Sequence, residues 1–226
     1  MKFITNIFIF FILTSSYSHL RGQEAPLLEE VECEESASED LMHEHGMLSR
    51  LLLVYSEIIR RIDNNEYVPL SSIIGSAEVV RDFIENHHEK LEEQYIFPKF
   101  IQAQVHVDLV KTLFEQHQVG RLITESILNF ASEDVLANPE QTNILVGYLR
   151  HFVRMYRPHH AREDTVLLPA LRKLITPKEY EELGELFEEE EHQLFGPSGF
   201  KTALKKVKKI ERELGIYHLA QFTQQK

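Results

Sequence analysis

The chain has 226 residues, of which 43% are hydrophobic, which is enough for the core of one domain with short additions. Its 24 basic and 36 acidic side chains give a formal net charge of −12. This charge argues against nucleic acid or an anionic membrane surface as a partner, because phosphate binding needs a basic face. Twelve histidines favour a metal site, and the low glycine and proline content favours a helical protein over an all-β one.

Residues 1–18 predict a signal peptide. Lys2 supplies a short positive region, and residues 3–13 form an apolar core that is too short for a comfortable transmembrane helix. Ser16 and Ser18 stand at the −3 and −1 positions of a cleavage site. We therefore expect an exported protein, periplasmic or secreted, with an uncleaved membrane anchor as the alternative.

Residues 19–35 predict a flexible acidic leader. They contain Cys33, the single cysteine of the chain, which excludes an internal disulfide framework. Because Cys33 lies in the acidic leader and not beside the histidines, we interpret it as a free surface thiol and not as a metal ligand.

From Ser36 onward, apolar residues recur at steps of three and four, and no stretch alternates as a strand would. Capping boxes mark two helix starts, Ser36 with Glu39 and Thr176 with Glu179, because these side chains can satisfy free backbone amides. The periodicity predicts helices over about 36–63, 70–98, 106–131, 139–174, 177–195 and 199–214.

Four long helices with short connections predict an all-α fold, an up-down-up-down four-helix bundle with one or two additional C-terminal helices. Residues 36–196 would form the bundle with its fifth helix. Residues 197–226 would form a basic C-terminal helix and a tail.

One motif occurs twice. "HEKLEEQYIFP" begins at His88 and "HHAREDTVLLP" begins at His159, and both place a Glu four residues after the His and a Pro six residues after that Glu. A further histidine precedes each copy by nearly the same distance, His45 in the first half and His117 in the second. The chain is therefore a duplicated helix pair.

This spacing suits metal binding. Residues four apart share one helix face. One metal ion can therefore be bound by His88 with Glu92, and another by His159 with Glu163. Their carboxylates can also bridge two ions. The mixture of imidazole and carboxylate favours two non-heme iron ions, with manganese or zinc as possible substitutes, in the core of a bundle.

Other assignments stay open. A single His-x-x-x-Glu pair on a helix is commonly a surface hydrogen bond, and it is the repetition that favours a metal site. His87 and His160, the neighbours in each doublet, are interpreted as exposed or as outer partners of the ligands. His43 is the alternative to His45 on the first helix.

The motifs resemble those of the hemerythrin-like (HHE cation-binding) family over about residues 38–195. The resemblance implies a four-helix bundle with a non-heme di-iron centre, and the metal ligands it implies are His45, His88, Glu92, His117, His159 and Glu163. Oxygen-carrying members place two histidines one turn apart on the third helix, whereas here Leu113 and Arg121 flank His117 at that distance. Glu89 and His192 are candidates for an additional ligand or an outer partner.

The sequence thus predicts a hemerythrin-like protein that binds oxygen or a related small diatomic ligand, or that senses or holds iron. One alternative is a di-iron enzyme that reduces peroxide, oxygen or nitric oxide. A second alternative is a non-catalytic bundle that binds a protein partner through its acidic 179–191 surface or its basic C-terminal helix.

Overall fold

A computed structural model describes residues 36–223, which form seven helices and contain no strand. The predicted signal peptide, the acidic leader and Cys33 lie outside these residues. The predicted all-α class is confirmed. The helices are α1 (Ala37–Asp63), α2 (Leu70–Val79, continued by Val80–His88, Glu89–Leu91, Glu92–Ile96 and Phe97–Ala103), α3 (Val107–Phe130), α4 (Glu133–Ala137), α5 (Pro139–Arg162, continued by Glu163–Leu167 and Leu168–Leu174), α6 (Pro177–Phe195) and α7 (Gly199–Glu213).

Both predicted capping boxes are present. The backbone N–H of Ser36 donates to Glu39 Oε2 at 3.0 Å, and the backbone N–H of Thr176 donates to Glu179 Oε2 at 2.8 Å. These bonds satisfy amides that have no partner inside the helix, so α1 and α6 begin where the sequence predicts.

The predicted end of α2 at about Pro98 is wrong, because the helix continues to Ala103. Pro98 lies in the first turn of the segment Phe97–Ala103, where a missing N–H removes little. The short helix α4 was also not predicted. Its five residues are too few for an apolar period, although Ser132 caps it by accepting from the N–H of Val135.

The two motif helices widen at the same place. Glu92–Ile96 and Glu163–Leu167 are π-helical, and each segment starts at the motif glutamate and ends two residues before the motif proline. A proline has no N–H and its ring clashes with the carbonyl four residues earlier, so the preceding turn opens. Such π-turns are frequent at functional sites because they re-aim side chains.

The long helices pack side by side: α5 lies against α1 and α3, and α2 contacts α1 and α3. The additional helices pack on this group, α6 mainly against α1 and α7 against α1 and α2. Among residues 36–223, no helix has the length and the apolar content that a membrane span requires.

The apolar core is divided into two clusters. One contains residues such as Leu51, Phe83 and Phe152, and the other contains residues such as Leu41 and Phe100. Along α1 and α3 the chain passes from the second cluster to the first, and along α2 and α5 it passes in the opposite direction. The polar motif residues fall between the two clusters on all four helices.

Candidate metal centre

The six residues named from the repeat come together in two groups of three. His45 of α1 joins His88 and Glu92 of α2, and the ligand atoms lie within 4.8 Å of one another. His117 of α3 joins His159 and Glu163 of α5 in the same way. All six side chains are buried, with exposed fractions between 0% and 3%. Each half of the duplication therefore builds one three-residue group.

The two groups face each other across the carboxylates. Glu92 Oε2 lies 3.7 Å from His88 Nε2 in its own half and 3.5 Å from His117 Nε2 in the other. Glu163 Oε1 lies 3.0 Å from His159 Nε2, and Glu163 Oε2 lies 3.3 Å from His45 Nε2. Each carboxylate is thus within reach of histidines from both halves of the chain.

The far ring nitrogen of every motif histidine has its own hydrogen-bond acceptor. The Nδ1 atoms pair as follows: His45 with Asp164 at 2.7 Å, His88 with Glu44 at 2.7 Å, His117 with Glu93 at 3.2 Å and His159 with Gln116 at 2.8 Å. An Nδ1–H that donates to an oxygen fixes the ring and leaves the Nε2 lone pair free to bind a metal. All four rings are held in the orientation that a metal site needs.

Sequence reasoning did not identify these four partners as such, although the repeat contains them. Glu44 directly precedes His45, and Gln116 directly precedes His117 in the second half. Glu93 follows Glu92, and Asp164 follows Glu163 in the same way. Aligning the halves residue by residue would have revealed these pairs, but only the fold shows that each one serves a histidine.

Several atoms that face the centre lack hydrogen-bond partners. Both carboxylate oxygens of Glu92 and of Glu163, and Nε2 of His45, are buried without one. An unsatisfied buried polar group costs about 1–3 kcal/mol, and more when it is charged. Five such atoms in one place fit the coordination of cations, which would satisfy them together.

The close packing of buried carboxyl and imidazole groups shifts their pKa values. Burial and the neighbouring Glu163 charge raise the pKa of Glu92 well above its usual range. Burial opposes the ionisation of Glu163 too, but His159 and His45 outweigh it and hold the pKa of Glu163 well below its usual range. Burial likewise lowers the pKa of His117 to about 4. Of the two carboxyls, one is therefore neutral when no cation is bound.

Glu89, a candidate additional ligand, points to another set of partners. It accepts from the hydroxyl of Tyr156 at 2.6 Å and pairs with Arg121 at 2.7 Å. The tyrosine hydroxyl fits only because residue 120 is a glycine, since a Cβ there would lie 1.9 Å from the oxygen. Burial raises the pKa of Glu89 well above its usual range, although Arg121 and Tyr156 oppose this shift. Glu89 also belongs to a group with Glu93 and His117, so it lies beside the second half-site.

The other histidines considered in the sequence analysis lie in different environments. The interpretation of His87 as exposed is wrong, because the neighbouring phenylalanines enclose it and its Nε2 lies 3.3 Å from Glu44 Oε1. His160 is half-buried, and its ring pairs with Ser49 at 3.1 Å. His43 is exposed with its ring near Phe200, and His192 is exposed and belongs to no ligand group among the described residues.

Proteins from two strains of Mycobacterium tuberculosis and one of Mycobacterium bovis are similar to this chain. Each is 44% identical over 188 residues, which cover 83% of this chain and 74% of the relative. The chain belongs to the family of these mycobacterial proteins. Their names state no function, and no family model and no solved structure matches the chain.

Proposed function

We propose that this protein is a hemerythrin-like, up-down-up-down helical bundle with a dinuclear non-heme iron centre. Its ligands are His45, His88, Glu92, His117, His159 and Glu163. The observation that carries the proposal is the pair of buried carboxylates, each in reach of histidines from both halves and each without a hydrogen-bond partner. The alternating direction of α1, α2, α3 and α5 between the two apolar clusters supports the bundle.

The donor set supports iron. Four imidazoles with two bridging carboxylates suit iron best, and they also accept manganese or zinc, whereas a magnesium or calcium site would be built from oxygen ligands. The bound ions would supply a place for a small molecule and, in the case of iron, the ability to exchange electrons with it. Aqueous side reactions are limited because the ligands are almost fully enclosed.

The ligand we propose is oxygen or a related diatomic, or the protein senses or holds iron itself. Oxygen carriers have two histidines one turn apart on the third helix, whereas here Leu113 and Arg121 stand one turn before and after His117. Arg121 contacts Glu89 and Glu93 rather than the centre. A metal ion held by His117, His159 and Glu163 would have one imidazole fewer than in those carriers, which would leave room for a small ligand. The two apolar clusters flank these polar residues along all four helices.

A second candidate function is reduction of peroxide, oxygen or nitric oxide, and Glu89 favours it. Such reductions consume protons, so a proton-holding group beside the centre is required. Burial makes Glu89 such a group, and Tyr156 and Arg121 fix its position. Arg121 is partly exposed, so it lies between the buried Glu89 and the protein surface.

Metal analysis and an optical spectrum of the protein purified from iron-replete cells test the main proposal. We expect about two iron ions per chain and absorption bands that change on exposure to oxygen or nitric oxide. A protein that holds no metal under these conditions contradicts the proposal. Steady consumption of peroxide or nitric oxide with a reductant, lost in Glu89→Gln, would favour the enzyme, whereas stoichiometric binding alone would favour the carrier or sensor.

We also propose that the protein is exported through its N-terminal segment, residues 1–18. The short apolar core behind Lys2 and the small residues that follow support this. Cell fractionation followed by N-terminal sequencing tests it. A chain that starts after Ser18 outside the cytoplasm is the expected result, and an intact chain in the membrane would favour the uncleaved anchor.

A further inference from the structure

A second cluster of metal-ligating side chains lies beside the proposed centre. Glu44 of α1, His87 of α2 and Glu191 of α6 bring one ligand atom each within 4.8 Å of one another. None of the three is among the six residues of the dinuclear centre. Glu44 and His87 are buried, and Glu191 is half-buried.

The duplication does not account for this cluster. The residue that corresponds to His87 in the second motif is Pro158, so the second half has no equivalent histidine. Glu191 comes from α6, outside the duplicated helix pairs. The cluster is therefore formed by the first helix pair together with α6, and it is not part of the repeated ligand set.

Contacts at the junction of α6 and α7 fix the position of the Glu191 carboxylate. Its Oε1 accepts from the backbone N–H of Phe200 at 2.9 Å, at the start of α7. A Cβ at Gly199 would lie 2.8 Å from Glu191 Cγ, so only glycine allows this approach. The junction between α6 and α7 thus holds the carboxylate near the two buried side chains.

His87 also has spare binding capacity. Its Nε2 lies 3.3 Å from Glu44 Oε1, and its Nδ1 is buried without a hydrogen-bond partner. Phe83 and Phe195 pack edge-on against its ring at centroid distances of 5.2 and 5.6 Å. A cavity of about 330 Å³ lies next to the residues that surround the cluster, and it is lined by Phe83, Phe195 and Gly199 among others.

We propose that Glu44, His87 and Glu191 bind a third divalent cation, in a mononuclear site with one imidazole and two carboxylates. Such a donor set suits zinc, manganese or iron(II), with water completing the coordination. Tetrahedral zinc with bonds of about 2.1 Å places its ligand atoms about 3.4 Å apart, so small side-chain rotations are enough to close the site.

Glu44 couples this site to the dinuclear centre. Its Oε2 holds Nδ1 of His88 at 2.7 Å, while its Oε1 faces His87. A cation on Oε1 withdraws negative charge from the carboxylate, which weakens its bond to His88 and makes that imidazole a poorer donor. Only this coupling rests on the proposed function, because the third site shares none of the six ligands.

Zinc alone, added to the full chain, tests the site. In Glu92→Gln/Glu163→Gln, which disables the dinuclear centre, we expect one bound zinc per chain by native mass spectrometry and calorimetry. Adding His87→Phe, which keeps the ring between Phe83 and Phe195, should abolish this binding. Adding the exposed Glu188→Gln instead removes one negative charge from α6 outside the cluster and should leave the binding intact.

The unaltered protein provides the second measurement. We expect it to bind one zinc more than the single variant His87→Phe. Equal counts in these two proteins would overturn the third site, as would zinc that persists after His87→Phe in the disabled background. A protein that binds just one zinc, lost with His87→Phe, would contradict the dinuclear centre and leave the third site standing. Circular dichroism of each variant confirms that the helices are retained.

Discussion

Replacing Glu92 by glutamine separates a metal ligand from a merely structural carboxyl. Burial and the charge of Glu163 raise the pKa of Glu92 well above its usual range, so its carboxyl is neutral in the metal-free protein. Glutamine has the same shape and is also neutral. We therefore expect the metal-free stability to change by no more than about 1 kcal/mol.

With metal present the same substitution should be severe, because glutamine cannot become the anion that bridges two ions. Loss of an outer partner of a ligand alone weakens binding about 10- to 100-fold. At a free metal concentration about 1,000 times the dissociation constant, binding stabilises the fold by about 4.1 kcal/mol, and a 100-fold weaker site loses about 2.7 kcal/mol of this. For a domain of this size, that corresponds to a decrease in Tm of about 5–11 °C.

Thermal unfolding followed by circular dichroism, with zinc and with a chelator, measures both effects. The exposed Glu185→Gln on α6 makes the same chemical change away from the centre and should show neither effect. If Glu92→Gln lowers Tm equally with and without metal, or leaves it unchanged in both, Glu92 is not a metal ligand.

Glu163→Gln should behave differently, although the repeat makes the two glutamates equivalent. His159 and His45 keep Glu163 ionised without metal, so its loss breaks buried ion pairs. Breaking such a pair typically costs about 3–5 kcal/mol. Glu163→Gln should thus destabilise the metal-free protein, and a result equal to that of Glu92→Gln would refute the assigned charges.

Three further outcomes are expected. Gly120→Ala should cost about 1–3 kcal/mol in urea unfolding because its Cβ displaces Tyr156, whereas Gly147→Ala, with nothing within 4 Å, should gain up to about 1 kcal/mol from helix propensity. Gln116→Leu removes the acceptor of His159 Nδ1 and should weaken zinc binding about 10- to 100-fold in chelator competition, and unchanged affinity would contradict its role. Burial would lower the pKa of His45, but the hydrogen bond to Asp164 and the nearby charge of Glu163 raise it from 6.5 to about 10. The stability that this proton adds to the metal-free protein is complete below pH 6.5 and is lost as pH rises towards 10, so the urea midpoint should decrease over that range, and less steeply in His45→Gln.

The helices were predictable because their signals are local. Apolar periodicity and the two capping boxes depend on residues a few positions apart, and they placed α1, α3, α5, α6 and α7 within a few residues. The error at Pro98 has a physical reason, because a helix can continue past a proline where the preceding turn widens. Here Glu92–Ile96 widens into a π-turn and the helix continues to Ala103.

That the six repeat residues lie close together was also predictable, because the same spacing occurs twice and each spacing of four is a property of one helix. What the tertiary structure decided is everything that passes between helices. Glu44, Glu93, Gln116 and Asp164 act on histidines of other helices, and no local pattern shows which acceptor meets which ring.

His87 is the clearest such case. By itself the doublet of His87 and His88 does not show which ring points inward. Packing of α6 and α7 against α1 and α2 buries His87 as well and brings Glu191 to it. A contact over more than a hundred residues of sequence depends on how the helices dock, and docking is set by the summed packing of both apolar clusters, not by any motif.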